Sequence, residues 1–183
     1  MLTAIGRRKI FGVNTFVFRV PTRARGDVFM RVDRSGTVSK PRAVVEVDSS
    51  KFLALWRAEP YSIHSDVSSG NPETWPRDRK FHDAEKGFLE GETNPVPLAD
   101  VNCHLESERH AVYETQFWFF RKVSGYRTTE MPYACFDNGI TRTIWLMTYG
   151  ASHFPVLCEA SEAPRLQTHA GATGSEFRLV SQL

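Results

Sequence analysis

Asp137, Asn138, Gly139, Thr141, Arg142 and Thr143 lie almost side by side in the sequence. Together they offer a carboxylate, a residue free to take positive φ, two hydroxyls and a guanidinium. That is the equipment for holding phosphate. The first N–H groups of a helix have no partner within the helix, and the helix dipole favours negative charge there. A glycine lets a ligand approach the backbone closely, and arginine offers a planar fork that fits two phosphate oxygens. Asn138, Gly139, Thr141, Arg142 and Thr143 are therefore the candidate phosphate-binding residues. Arg142, Asp137 and Thr141 are the candidate catalytic ones. Arg142 would stabilise charge on a transferred phosphoryl group, and Asp137 would serve Mg2+. The competing reading is an ordinary capped helix, with Asn138 or Thr141 as N-cap and Arg142 in solvent.

A second tier of candidates lies elsewhere. His64 and Asp66 sit two residues apart in a serine-rich loop and could act as metal ligands or as a base with its orienter. In the run Cys103-His104-Leu105-Glu106, alternation along a strand separates Cys103 from His104 but places His104 and Glu106 on one face. Cys103, Cys135 and Cys158 are odd in number and widely spaced, which points to neither a disulfide framework nor a zinc site.

The elements that must position these groups can be read from breakers and periodicity. Residues 133–136 are short, apolar and aromatic, and Asp137-Asn138-Gly139 is a turn signal. Residues 141–149 run without a breaker to Gly150, and 152–157 supply a closing strand. The central unit is thus strand, loop, helix, strand.

Upstream, 11–20 and 28–32 read as an N-terminal β-hairpin and 43–47 as a strand. A helix over 51–57 is expected to be capped by Ser49 or Ser50, with Phe52, Leu55 and Trp56 on one face. A second helix is expected over 77–90, and the prolines of 94–101 force an extended segment. Residues 112–121, with the run 117–120, read as a buried strand, 122–130 as a polar connection and 159–183 as a loose tail.

With 183 residues, 41% hydrophobic and 24% charged, the chain can bury a complete core. A single domain over 1–183 is expected: an extension over 1–42, a core over 43–158 and a loosely ordered tail over 159–183. The net charge of +2 is small, but Arg7, Arg8, Lys9, Arg19, Arg23, Arg25, Arg31 and Arg34 make the front basic and keep DNA in play. No run is long and apolar enough for a transmembrane segment. The cysteine usage fits a cytoplasmic protein.

The order of parts resembles the ParB/sulfiredoxin superfamily. Residues 81–91 stand for its helix, Asn94-Pro95-Val96 for the following strand and 137–143 for the nucleotide loop. The resemblance implies a mixed α/β (α+β) fold, ParB/sulfiredoxin-like, with a mixed sheet flanked by helices. Within that superfamily the loop is similar to that of the plasmid fertility inhibition factors, the Osa-like proteins. This implies suppression of conjugative or T-DNA transfer, with DNase and ATPase activities, ATP as substrate, Mg2+ as cofactor and DNA as partner. It also implies a place in the cytoplasm, peripheral at the inner membrane beside the transfer apparatus. Ile140 stands where sulfiredoxin has its reactive cysteine, so sulfinic-acid reduction is not expected. Thr141 replaces the first arginine of the ParB loop, which argues against a centromere clamp. The competing expectation is a non-catalytic inhibitor that blocks a type IV secretion or coupling component, anchored by aromatics such as Trp75 and Trp145.

Overall fold

The structure is a computed structural model describing residues 3–34, 40–116 and 120–183. The front of the chain alternates apolar and polar residues and folds into β1 (Thr3–Ile10), β2 (Val13–Thr22) and β3 (Gly26–Asp33). The expected hairpin is the β2–β3 pair, in which Phe16 faces Val32 and Val20 faces Val28. β1 adds a third antiparallel strand that the scattered charges of Arg7, Arg8 and Lys9 had hidden.

β4 (Arg42–Asp48) leads into α1 (Ser49–Arg57). The cap is Asp48 rather than either serine, because its Oδ1 accepts from the N–H groups of Ser50 and Lys51 at 3.0 and 2.9 Å. Phe52, Leu55 and Trp56 are buried as the helical spacing requires. A four-residue turn of helix, α2 (Ser65–Ser68), and α3 (Phe81–Leu89) follow. Then come β5 (Val96–Pro97) and the long strands β6 (Ala99–Gln116) and β7 (Phe120–Asn138). The expected polar connection over 122–130 is instead part of β7, paired with β6 on either side of a bulge at Ser124. It was missed because the described side chains of this part of the ribbon are mostly exposed, without a strand's usual buried face. The proposed core role of the run 117–120 falls mostly on 117–119, outside the described residues.

α4 (Ile140–Thr148) and β8 (His153–Glu159) complete the central unit close to the expected bounds. The tail is not loose. α5 (Ala163–Ala170) and β9 (Arg178–Leu179) continue the fold, and Ala163, Leu166, Ala170 and Leu183 are buried. Small alanines packing closely under α1 and β4 replaced the large apolar residues whose absence suggested disorder.

The expected single mixed sheet is two: β1-β2-β3-β5, and β7-β6-β8-β4-β9. Each holds one parallel pair, β3 with β5 and β6 with β8. Both sheets and the helices feed one hydrophobic cluster, with Val20, Met30, Val45, Phe52, Trp56, Ile144 and Phe154 among its members. The mixed α/β architecture with flanking helices is therefore present. Among the described residues no helix is long and apolar enough to cross a membrane.

Candidate functional site

The loop between β7 and α4 is built by a backbone constraint. Gly139 caps α4 with φ +97°, and a methyl group there would fall 2.7 Å from Ala99 Cα and 2.8 Å from Arg142 Nε. Glycine is required twice over, by conformation and by space. The loop is thereby pressed against the start of β6.

Arg142 fastens that junction. Its Nη1 donates to the carbonyl oxygens of Pro97 at 2.6 Å and Leu98 at 3.1 Å, and its Nη2 donates to Asn138 Oδ1 at 3.1 Å. Burial lowers its pKa from the ordinary arginine value, and the negative charge of Asp100 opposes that shift. Both prongs of the fork therefore point at protein oxygens. An incoming phosphate would have to take Arg142 from these carbonyls or use the first N–H groups of α4 beside it.

The other loop residues divide by exposure. Asp137 and Asn138 are exposed, and Asn102 Nδ2 donates to Asp137 Oδ1 at 2.8 Å, which aims the carboxylate. Thr141 is half-buried on the first turn of α4. Thr143 is fully buried, and its hydroxyl donates to Gly139 O at 3.1 Å, so it braces the helix start instead of facing outward. Two residues along a helix rotate a side chain by roughly 200°, from the solvent face to the core face.

Two residues absent from the sequence-based candidates complete the surroundings. Asp100 lies opposite Asn138 in the β6–β7 register and forms an ion pair with Arg42 of β4. Asp100 thus stands between Arg42 and Arg142. Arg42 Nε is buried without a hydrogen-bond partner among the described residues. Asp100, Arg42, Lys40 and Arg34 line a cleft of about 410 Å³ whose apolar wall includes Val32, Leu157 and Val180. Arg34 also borders a neighbouring hollow lined by Arg7, Arg8 and Lys9. Arg7, Arg8, Lys9 and Arg34 of the basic front thus join Lys40 and Arg42 along one track, and Asp100 carries it to the loop. Lys40 is paired with Glu159 at 2.6 Å and Arg8 with Glu92, so these two cations are partly neutralised. The signal that could have found Asp100 was a lone carboxylate near the end of the Pro-rich extended segment.

The second-tier candidates separate. Cys103 is fully buried while the His104 side chain is 43% exposed, as alternation requires. His104 and Glu106 do not act on each other: His104 Nδ1 lies 3.6 Å from Glu162 Oε1, and Glu106 accepts from the Tyr61 hydroxyl at 2.9 Å. That contact pushes the Tyr61 pKa up to about 12. Burial raises the Glu162 pKa, and a hydrogen bond from the Cys103 N–H works the other way. His64, in the left-handed region at φ 57°, and Asp66 are both exposed, and no hydrogen bond or ion pair among the described residues joins them to the Gly139 loop. Among the described residues no three His, Cys, Asp or Glu side chains gather into a metal-binding group. Trp75 and Trp145 are 3% and 2% exposed, so neither is the surface anchor expected of a docking protein. Their indoles are core because Trp145 stacks on Phe88 at 4.3 Å and Trp75 packs within the same cluster.

The three cysteines are free, and burial raises the pKa of each, Cys103 to about 11 and Cys158 to about 12. Buried thiols of this kind are poor nucleophiles.

A profile of the plasmid fertility inhibition factor family matches residues 44–171. The chain is 26% identical over 159 residues to protein osa of Shigella flexneri, covering 86% of this chain and 70% of that one. It also resembles the crystal structure of the Oncogenic Suppression Activity Protein, described as a plasmid fertility inhibition factor and solved as a gold(I) cyanide derivative. That likeness has a TM-score of 0.66 at 25% identity and covers 92% of this chain and 74% of the other.

Proposed function

Because the chain belongs to the plasmid fertility inhibition factor family, we propose that it suppresses conjugative or T-DNA transfer by acting chemically on phosphates. ATP hydrolysis and DNA cleavage would share the Gly139–Arg142 loop. The observation that carries this reading is the contiguity of that loop with the basic cleft through Asp100, which lines the cleft and acts on Arg142. A phosphate at the N-terminus of α4 would meet helix N–H groups and the Thr141 side of the first turn. The rest of a nucleotide or a DNA strand would lie toward Arg42 and Arg34.

A magnesium ion takes one or two carboxylates and completes its shell with water and substrate phosphate. Asp137, exposed and aimed by Asn102, fits that sparse demand. When bound, the ion would neutralise charge on the phosphate oxygens. In the protein itself, Arg142 holds the loop against β6, Gly139 keeps the helix start open, and Asp137 presents its carboxylate beside it. We also propose a ParB/sulfiredoxin-like core over 43–158. The succession α3, β5, β6, β7, loop, α4 and β8 supports that assignment.

The test is incubation of the purified protein with supercoiled DNA and, separately, with ATP, each with and without Mg2+, beside Arg142→Ala. The expected result is Mg2+-dependent hydrolysis and nicking, both reduced at least tenfold in the variant. A protein that suppresses transfer in mating cells while turning over neither substrate would replace this reading with that of a plug on a secretion or coupling component.

A further inference from the structure

The turn that joins β1 to β2 is built against its own sequence. Ile10 pairs with Val13, so the loop between them is Phe11 and Gly12 alone. Their φ angles are 48° and 85°. A two-residue hairpin loop with both central φ positive is a type I′ turn, whose preferred residues are Asn-Gly, Asp-Gly and Gly-Gly. Glycine stands at the second position, as that turn wants, but phenylalanine stands at the first. A bulky side chain at positive φ is strained. Burial does not offset the strain, because Phe11 is 79% exposed. Strain of this kind gathers at residues that bind or react.

The neighbours of the turn are cations. Lys9 and Asn14 pair directly behind Ile10 and Val13, and with Arg7, Arg8, Thr15 and Arg34 they line a hollow of about 310 Å³. From Lys9 to Phe11 the chain covers roughly 7 Å at the usual strand rise, so the ring adjoins the hollow. Among the described residues no carboxylate lines it, although Arg8 reaches out to Glu92. Arg34 also lines the cleft that leads past Arg42 to Asp100 and the Gly139 loop. A solitary aromatic ring beside a row of cations suits an unpaired nucleotide strand, whose phosphates take the cations while one base takes the ring. A duplex keeps its bases stacked on each other and offers the ring no open face. A membrane surface asks for several large apolar residues together, and beside Phe11 this tip holds only Gly12 and the half-buried Val13.

We propose that Phe11 is a stacking platform for single-stranded nucleic acid, which enters over the β1–β2 turn and runs by way of Arg34 toward the Gly139 loop. The direction of the strand rests on the phosphate chemistry proposed for that loop. The platform itself does not. Every base has a π face, so the ring accepts any of them and the site distinguishes single strand from duplex without reading sequence.

Anisotropy of the full chain with a labelled oligonucleotide, single-stranded or annealed to its complement, tests this. The wild type should prefer the single strand. Phe11→Ala should weaken single-strand binding at least fivefold, with the salt slope unchanged because no phosphate contact is lost. Phe11→Trp should stay within about twofold of the wild type, since indole stacks as well. Phe11→Asn gives the type I′ turn its preferred residue, so its Tm should rise while its affinity falls as far as that of Phe11→Ala. A ring kept only for folding would move both the other way. A wild type that binds no single strand or prefers the duplex, undiminished binding by Phe11→Ala, equal losses on both forms, or Phe11-dependent capture by anionic vesicles in place of DNA would each overturn the proposal. With the single strand at saturation Phe11→Ala should cleave at the wild-type rate. A wild type that binds through Phe11 yet hydrolyses neither DNA nor ATP would overturn the loop chemistry and leave the platform standing.

Discussion

Arg142 has two demands on one guanidinium. From the sequence alone it is an exposed helix-start arginine whose loss should hardly touch stability. In the structure it bonds three protein oxygens, two of them main-chain carbonyls of the β5–β6 junction. Hydrogen bonds from a charged donor contribute more than neutral ones, so Arg142→Ala should cost about 1–3 kcal/mol, readable as a lower urea midpoint. Arg142→Lys keeps the charge but cannot span Asn138 and both carbonyls, so its nucleotide hydrolysis should fall at least tenfold as well. If Arg142→Lys hydrolysed ATP at the wild-type rate, fork geometry would have no part in the chemistry. The thiols give a separate test at this scale. Cys103 has its folded pKa raised by burial to about 11, from an ordinary value of 9.0. A raised pKa means that the stability it contributes is complete below pH 9 and is lost as pH climbs from 9 toward 11, where the unfolded chain ionises first. Unfolding free energies measured across that window should therefore fall less steeply in Cys103→Ala than in the wild type.

At the scale of elements, α5 is where the sequence was most misleading. Residues 159–183 hold few large apolar side chains, yet Ala163, Leu166 and Ala170 recur at helical spacing and are all fully buried. Leu166→Ala should cost about 2–5 kcal/mol, as other buried leucine truncations do, and a melt of the variant will show it. A Tm unchanged within a degree would mean that this helix is not part of the cooperative unit. The helix and closing strand of the central unit, by contrast, were legible within two residues, although the strand read over 133–136 is only the inner part of β7. Gly139 and Gly150 punctuate the unit, and the apolar run between them can only be helix. β6 and β7 were half-legible. Their inner ends bury Val101, Cys103 and Ala134 and so announced themselves, whereas the described side chains of the outer ribbon are not buried and impose no alternation. Asp100, Arg42 and Arg142 were not legible as a group. They come from β6, β4 and α4, and only the sheet order brings β4, β8 and β6 side by side.

For the whole molecule, the near-neutral net charge conceals a division of labour. Carboxylates elsewhere offset the basic front, but folding gathers Arg7, Arg8 and Lys9 into one hollow that shares Arg34 with the cleft holding Lys40, Arg42 and Asp100. A track of this kind suits a polyanion better than a small anion, because successive phosphates of a strand can each meet a different cation. Each phosphate neutralised releases condensed counterions, so affinity should fall with salt at a log–log slope of about −0.7 to −0.9 per contact. Fluorescence anisotropy with a labelled oligonucleotide, titrated at several salt concentrations, measures that slope directly. Arg34→Ala should weaken binding and make the slope shallower by roughly one contact, because Arg34 belongs to both hollows and its guanidinium is held among the described residues by a long contact to Ser181 O at 3.5 Å. Arg19→Ala removes a basic residue outside the track, one paired with Asp27 at 3.0 Å, and should leave the slope where it was. Equal effects from the two substitutions would mean that DNA senses only the overall charge of the protein. A loss confined to Arg34, with ATP hydrolysis intact, would place the strand along the track and its phosphates on the way to Gly139.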